Sequence, residues 1–169
     1  MRKTVVIGFV LTAALALGGC SMSKTGHPET SSKDKVASQI RALPNVTDAT
    51  VGYEQTMDGL SKHYAIAVDI SAPKAGGSKA EVSALIDKVL PLAWSVRGEE
   101  PDRGVILRIK TDPQLEIGPI ATASGWRDVG YPKNAKLLAK IPYQATFGNQ
   151  SLNDQIGPWP VRGDGKSQE

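Results

Sequence analysis

The only cysteine, Cys20, closes an apolar run and follows Gly18 and Gly19, small residues that leave the backbone open to a peptidase. There are two histidines. His27 sits in a polar stretch and reads as solvated. His63 opens a strand on the side away from the core. One histidine with no cysteine or second histidine beside it makes a poor metal site, so His63 is assigned to the surface or to holding a hairpin. Asp58, Asp69, Asp102, Asp112 and Asp128 fall near strand ends or in loops. Paired carboxylates do acid–base work only when a cleft brings them within about 10 Å. At turns, each ends a strand instead. Ser124-Gly125 lacks a nucleophile-elbow flank and a nearby base. Gly76-Gly77-Ser78-Lys79 precedes a helix, whose N-terminus can hold an anion. It lacks the spacing and the Lys-Ser/Thr ending of a phosphate loop, so helix capping is the reading. Arg162-Gly163-Asp164 lies in a polar tail and is assigned no role. No catalytic residue, metal ligand or cofactor is expected, and the chain reads as a non-enzyme.

The N-terminal residues have a different logic. Arg2 and Lys3 form a basic start, and Val5 to Leu17 form an apolar run. The run is shorter than the roughly 20 residues that span hydrocarbon. A permanent membrane helix is therefore the weaker alternative. An ordinary secreted protein cut after Ala14-Leu15-Ala16, with Cys20 incidental, is another. Leu17-Gly18-Gly19-Cys20 resembles a lipobox, the cleavage and acylation site of bacterial lipoproteins. The resemblance implies cleavage between Gly19 and Cys20, a diacylglycerol on the sulfur, and an acylated amine, with palmitate among the chains. Residues 1–19 are then a signal peptide and the partner is a membrane, reached through N-terminal lipid. One acyl chain binds a bilayer only marginally, and two or three hold firmly. Ser21 resembles an outer-membrane sorting signal, so the expected address is extracytoplasmic, at the cell membrane or outer membrane. An acylated Cys20 leaves no thiol for disulfides, metal ligation or nucleophilic attack.

Removing residues 1–19 leaves 150 of 169 residues, enough for one domain with tails. The chain carries 20 basic and 17 acidic residues. Two of the basic ones, Arg2 and Lys3, belong to the leader, so the mature part has 18 against 17. A near-neutral chain lacks the concentrated basic surface that nucleic acid requires.

The elements follow from periodicity. Residues 20–32 are polar and form a flexible tether. Val36, Ile40 and Leu43 mark a helix over Lys33 to Leu43, capped by Ser31 or Ser32 and ended by Pro44-Asn45. Val46 to Glu54 and His63 to Ile70 alternate as two strands of a hairpin with one buried face, joined by a long loop containing Asp58-Gly59. Ser78-x-x-Glu81 opens a second helix through Val82, Leu85, Ile86, Val89 and Ala93, with a kink expected at Pro91. Arg103 to Lys110 is a third strand. Frequent Gly and Pro make residues 111–160 an irregular extension packed on the domain. A short helix is expected over Lys133 to Ala139 and a small strand near Ile120–Ala123. Residues 161–169 read as a disordered tail.

The order α-β-β-α-β over residues 33–110 is that of an α+β two-layer sandwich. Together with Leu43-Pro44-Asn45-Val46-x-x-Ala49-x-Val51, it resembles a BON domain, a small module of bacterial envelope proteins. It departs from that pattern at Asn45, where a glycine is usual, and in the long hairpin loop. A truncated ferredoxin-like sandwich reads the same way. The chain also looks like small uncharacterised lipoproteins of actinobacteria. The BON resemblance implies contact with phospholipid or protein.

The outward sheet face is the candidate binding surface: Thr50, Ala65, Ala67, Arg108 and Lys110, with Gly52 and Ile106 beside them. Residues 111–160 are expected to cover it, because Trp126, Tyr131, Tyr143, Phe147 and Trp159 need burial. The alternative is a partner: an envelope protein, a lipid headgroup or a wall polymer. The expected function is therefore a membrane-anchored, non-enzymatic binding or adaptor module. Two alternatives stand beside it. One is an envelope hydrolase or transferase with its site in residues 111–160. The other is an exclusion lipoprotein of a phage or mobile element.

Overall fold

The computed structural model describes residues 32–159. The expected signal peptide, the cleavage site at Gly19 and Cys20, the lipidation site Cys20, the tether as far as residue 31 and the 161–169 tail lie outside the described residues.

The chain is an α+β fold with one five-stranded sheet, in the order β1-β2-β3-β5-β4. Helix α1, Lys33–Arg41, is capped by Ser32, whose side chain accepts from the Lys35 N–H. It buries Val36, Ala37 and Ile40. Strands β1 (Asp48–Asp58) and β2 (Ser61–Ser71) pair antiparallel over their whole length. The long hairpin loop expected here is a tight corner instead, with Gly59 in the left-handed region at φ +59°. Asp58-Gly59 does mark the turn. Gln55–Asp58 and Ser61–Lys62, which extend the two expected strands, carry no apolar alternation, because they project beyond the core, and so do not read as strands.

A short 3-10 turn at Pro73–Gly77 leads into α2, Lys79–Trp94. Ser78 caps it, accepting from the Glu81 N–H at 3.4 Å. Pro91 lies inside this helix, which stays helical to Trp94. Strand β3, Val105–Lys110, pairs parallel to β2, as a β-α-β crossover requires. The first five major elements thus follow the expected order α-β-β-α-β.

Residues 111–159 are more regular than their breakers suggest. The strand expected near Ile120–Ala123 is a helix, α3, over Ile117–Ala123. Pro119 fits its first turn, and Ile117, Ile120 and Ala121 are buried at helical spacing. The short helix expected over Lys133 to Ala139 is α4, Ala135–Leu138, capped by Asn134. Strand β5, Gln144–Phe147, pairs antiparallel with β3 and with the two-residue β4, Val129–Gly130. Helix α5, Asn149–Ile156, closes the described fold and buries Leu152. Sequence periodicity misses α5 because it contributes little more than one apolar turn.

The core lies between one sheet face and the helices. Ile66, Val68, Ile70, Val105, Leu107, Ile109 and Phe147 meet Val36, Ile40, Val82, Ile86, Val89 and Leu90, all buried. Each such side chain contributes roughly 1.5–3 kcal/mol by leaving water. Trp126 packs edge-on against Phe147, with centroids 5.6 Å apart, and its Nε1–H donates to Asp87 Oδ1 at 2.8 Å. The Trp94 Nε1–H donates to the Gly157 carbonyl at 3.0 Å. Among the described residues, no helix is long and apolar enough to cross a membrane.

Candidate functional site

The outer face of the sheet is built by alternation. Thr50, Gly52 and Glu54 stand on it from β1; Ala65, Ala67 and Asp69 from β2; Ile106 and Arg108 from β3; Gln144 and Thr146 from β5. Arg108 organises it. Its Nη2 lies 2.6 Å from Glu54 Oε1, its Nη1 3.6 Å from Asp69 Oδ2, and its Nε–H donates to Gln144 Oε1 at 2.9 Å. A planar guanidinium with five donors suits this three-way grip.

The register places Ala67 on the diagonal from Glu54, opposite Ala65, to Arg108, opposite Asp69. Ala65 is 3% exposed and Ala67 6%. The two alanines are therefore the floor beneath a salt bridge and offer no contact surface, which corrects their place among the binding residues. Thr50, Arg108 and Lys110 instead share the rim of a shallow depression of about 110 Å³, with Asp48, Asp69, Ile70 and Ser71. All its lining residues belong to β1, β2 or β3. None of the described residues of the 111–160 extension expected to cover the face lines this depression, and Trp126 and Phe147, two of the aromatic residues expected to cover it, are buried in the core. The depression carries both charge signs and suits a zwitterionic or mixed polar partner.

His63 and Asp102 meet at the other end of β2. Nδ1 and Oδ2 are 2.5 Å apart, and the other carboxylate oxygen accepts from the Tyr64 N–H at 2.7 Å. Burial alone would raise the Asp102 carboxyl. The hydrogen bonds from His63 and Tyr64 and the charges of His63 and Arg103 outweigh it, so it titrates below the usual carboxylate range. A carboxylate held ionised in this way accepts and positions; it does not donate a proton. His63 thus holds the hairpin base, and a partner 39 residues away was not legible from spacing.

The other aspartates separate. Asp58 Oδ2 faces Arg103 Nη2 at 3.7 Å, and Asp69 serves Arg108. Asp128, at φ +51°, shares an open depression with Asp102, Arg103, Thr146, Gly148 and three side-chain amides, those of Asn149, Gln150 and Asn153. Asp112 lies in neither depression. The Ser124 hydroxyl is 2.7 Å from the Ser83 hydroxyl and donates to the Ile120 carbonyl, with no histidine partner. Among the described residues no group of three His, Cys, Asp or Glu side chains could hold a metal.

Tyr53, on the core side of β1, has a buried hydroxyl with no hydrogen-bond partner among the described residues. Burial, with the nearby Glu99 charge, pushes it up to about 12. Comparison with protein-family models, with curated proteins and with solved structures gives no match.

Proposed function

We propose that this chain is an envelope lipoprotein, held on the extracytoplasmic side of the cell membrane or outer membrane by lipid on Cys20. There it serves as a non-enzymatic binding or adaptor module for a protein, a lipid headgroup or a wall polymer. One observation carries the reading: an apolar run behind Arg2 and Lys3 that ends on the sole cysteine of the chain. Two or more acyl chains on that sulfur and its amine hold a domain at a bilayer without a spanning helix. The rim of Thr50, Arg108 and Lys110, a hydroxyl and two cations, supports the binding role, because it lies on an open sheet face.

Mass spectrometry of the N-terminal peptide from the native envelope tests the anchor. The expected product starts at an acylated Cys20, and Cys20→Ala leaves an unlipidated precursor or releases the protein. A bare thiol, or a leader still attached as a spanning segment, would overturn the address. Sedimentation with vesicles and with insoluble wall polymer tests the binding role. Lys110→Glu is expected to weaken whichever association occurs. No association with either, alongside turnover of a substrate, would reject the adaptor role.

A further inference from the structure

The β1–β2 hairpin outruns the sheet. Strand β3 begins at Val105, opposite Ile66, which pairs with Tyr53. Beyond that row the two strands run on for five cross-strand pairs, ending at Asp58↔Ser61, with residues 102–104 alongside β2 only as far as Tyr64, whose carbonyl accepts from the Arg103 N–H at 2.9 Å. The ribbon therefore projects about 17 Å past the row, at roughly 3.4 Å per residue. Asp102 braces the ribbon at His63, and the Arg103 side chain reaches Asp58 in its last pair, leaving Met57, Leu60 and Lys62 on the other face and at the tip.

The ribbon has two unlike faces. Glu54, Thr56, Asp58 and His63 lie on the polar side, continuing the outer face of the sheet. Met57 continues the Val51–Tyr53 side and stands directly across from Lys62. Met57 is 57% exposed, and Leu60 at the tip is 99% exposed. Single exposed apolar residues are ordinary. Two of them at the end of a projecting arm, with a lysine alongside whose stem can lie on apolar surface and whose head can reach phosphate, form a different pattern.

The direction of the arm matters more than its composition. Lys33 Nζ lies 5.8 Å from the Tyr53 ring centroid, and Arg41 at the other end of α1 faces Asp48 at the start of β1. Helix α1 therefore runs opposite to β1, and its first residue sits at the end of the molecule from which the arm projects. Only 11 residues lie between Cys20 and Ser32, a reach of at most about 40 Å fully extended. An arm about 17 Å long closes much of that distance.

We propose that the hairpin tip, Met57 and Leu60 with Lys62, inserts into the headgroup region of the bilayer that holds the lipid, fixing the orientation of the domain. This rests on the lipoprotein reading. The test uses the full lipidated chain in vesicles of phosphatidylethanolamine and phosphatidylglycerol. Ser61→Cys carries an environment-sensitive fluorophore, the Cys20 thiol being blocked by lipid, and Lys74→Cys, exposed beyond the opposite end of β2, provides a remote control. The expected result is several-fold weaker quenching by aqueous iodide at position 61 than at 74, together with quenching by nitroxide-bearing lipid. Adding Met57→Asp and Leu60→Asp restores iodide access while the protein still floats with vesicles. Equal iodide access at 61 and 74 in floating protein would overturn the proposal and leave the anchor intact. Shielding that follows protein density, without nitroxide quenching, would assign the tip to a second copy and also overturn it. Failure to float, with label at Cys20, would remove the lipoprotein reading and this inference together.

Discussion

Arg108 on β3 reaches across the intervening β2 strand to Glu54 on β1, closing to 2.6 Å above Ala67. The bridge ties two strands that are not hydrogen-bonded neighbours. It spans them only because the residues beneath it are small, so the alanines and the charges form one device.

Enlarging the floor should break the bridge. Ala67→Leu is expected to cost about 1–3 kcal/mol, since added methylenes force neighbouring side chains off their rotamers. Glu54→Gln removes a charge and leaves the shape, and should cost under about 1 kcal/mol, in the range of exposed pairs. Urea unfolding of the two variants checks the order. A larger loss in Glu54→Gln would show that the charge, and not the space, is limiting.

Asp102 should give the protein an acid-sensitive hairpin base. Its folded-state carboxyl titrates low, so its contribution is fully present above the ordinary carboxylate value of about 4 and fades as pH falls through the lower folded value. The side chain is half-exposed, which limits the contribution to about 1 kcal/mol or less. Asp102→Asn should flatten that part of the urea midpoint against pH below about 4. An unchanged acid limb in the variant would show that the ion pair adds nothing.

Gly104 precedes β3 at φ +76°, and a Cβ there would fall 2.0 Å from the Phe147 carbonyl oxygen. Gly104→Ala meets both left-handed strain and a backbone collision between β3 and β5. It should cost about 2–4 kcal/mol, or prevent accumulation of folded protein. Gly125, equally left-handed at φ +96° but with open space around its Cβ position, is the control. Gly125→Ala should cost about 1 kcal/mol. Thermal unfolding of the pair separates strain from collision.

Trp126 joins residues 111–159 to the first half of the chain through Phe147 and Asp87. Trp126→Phe keeps most of the ring and loses the hydrogen bond, at about 1 kcal/mol, the exposed Asp87 being able to take water instead. Trp126→Ala should cost about 3–5 kcal/mol. Equal losses would mean that the indole N–H, and not the buried ring, carries the join.

The α1, β1, β2, α2 and β3 order was legible because one face of each element is apolar at its own period, as with Val82, Ile86 and Val89 or with Ile66, Val68 and Ile70. Capping signals at Ser32 and Ser78 were equally local. Residues 111–159 were harder: β5 spans four residues and α5 buries little beyond Leu152, so neither sustains a period. Met57 and Leu60 escaped the same reading, since a strand that leaves the core need not alternate.

Local pattern alone thus settled the fold class, the faces of the main strands and the presence of one cysteine behind an apolar run. Those properties depend on neighbours within a few residues. Folding in three dimensions decided the rest: that Arg108 grips Glu54, Asp69 and Gln144, that His63 meets Asp102, that Ala65 and Ala67 lie under side chains, and that the hairpin tip points the way α1 begins. Each is a contact or direction between segments far apart in the chain. Strand register and helix packing set such relationships, and no spacing within one segment encodes them.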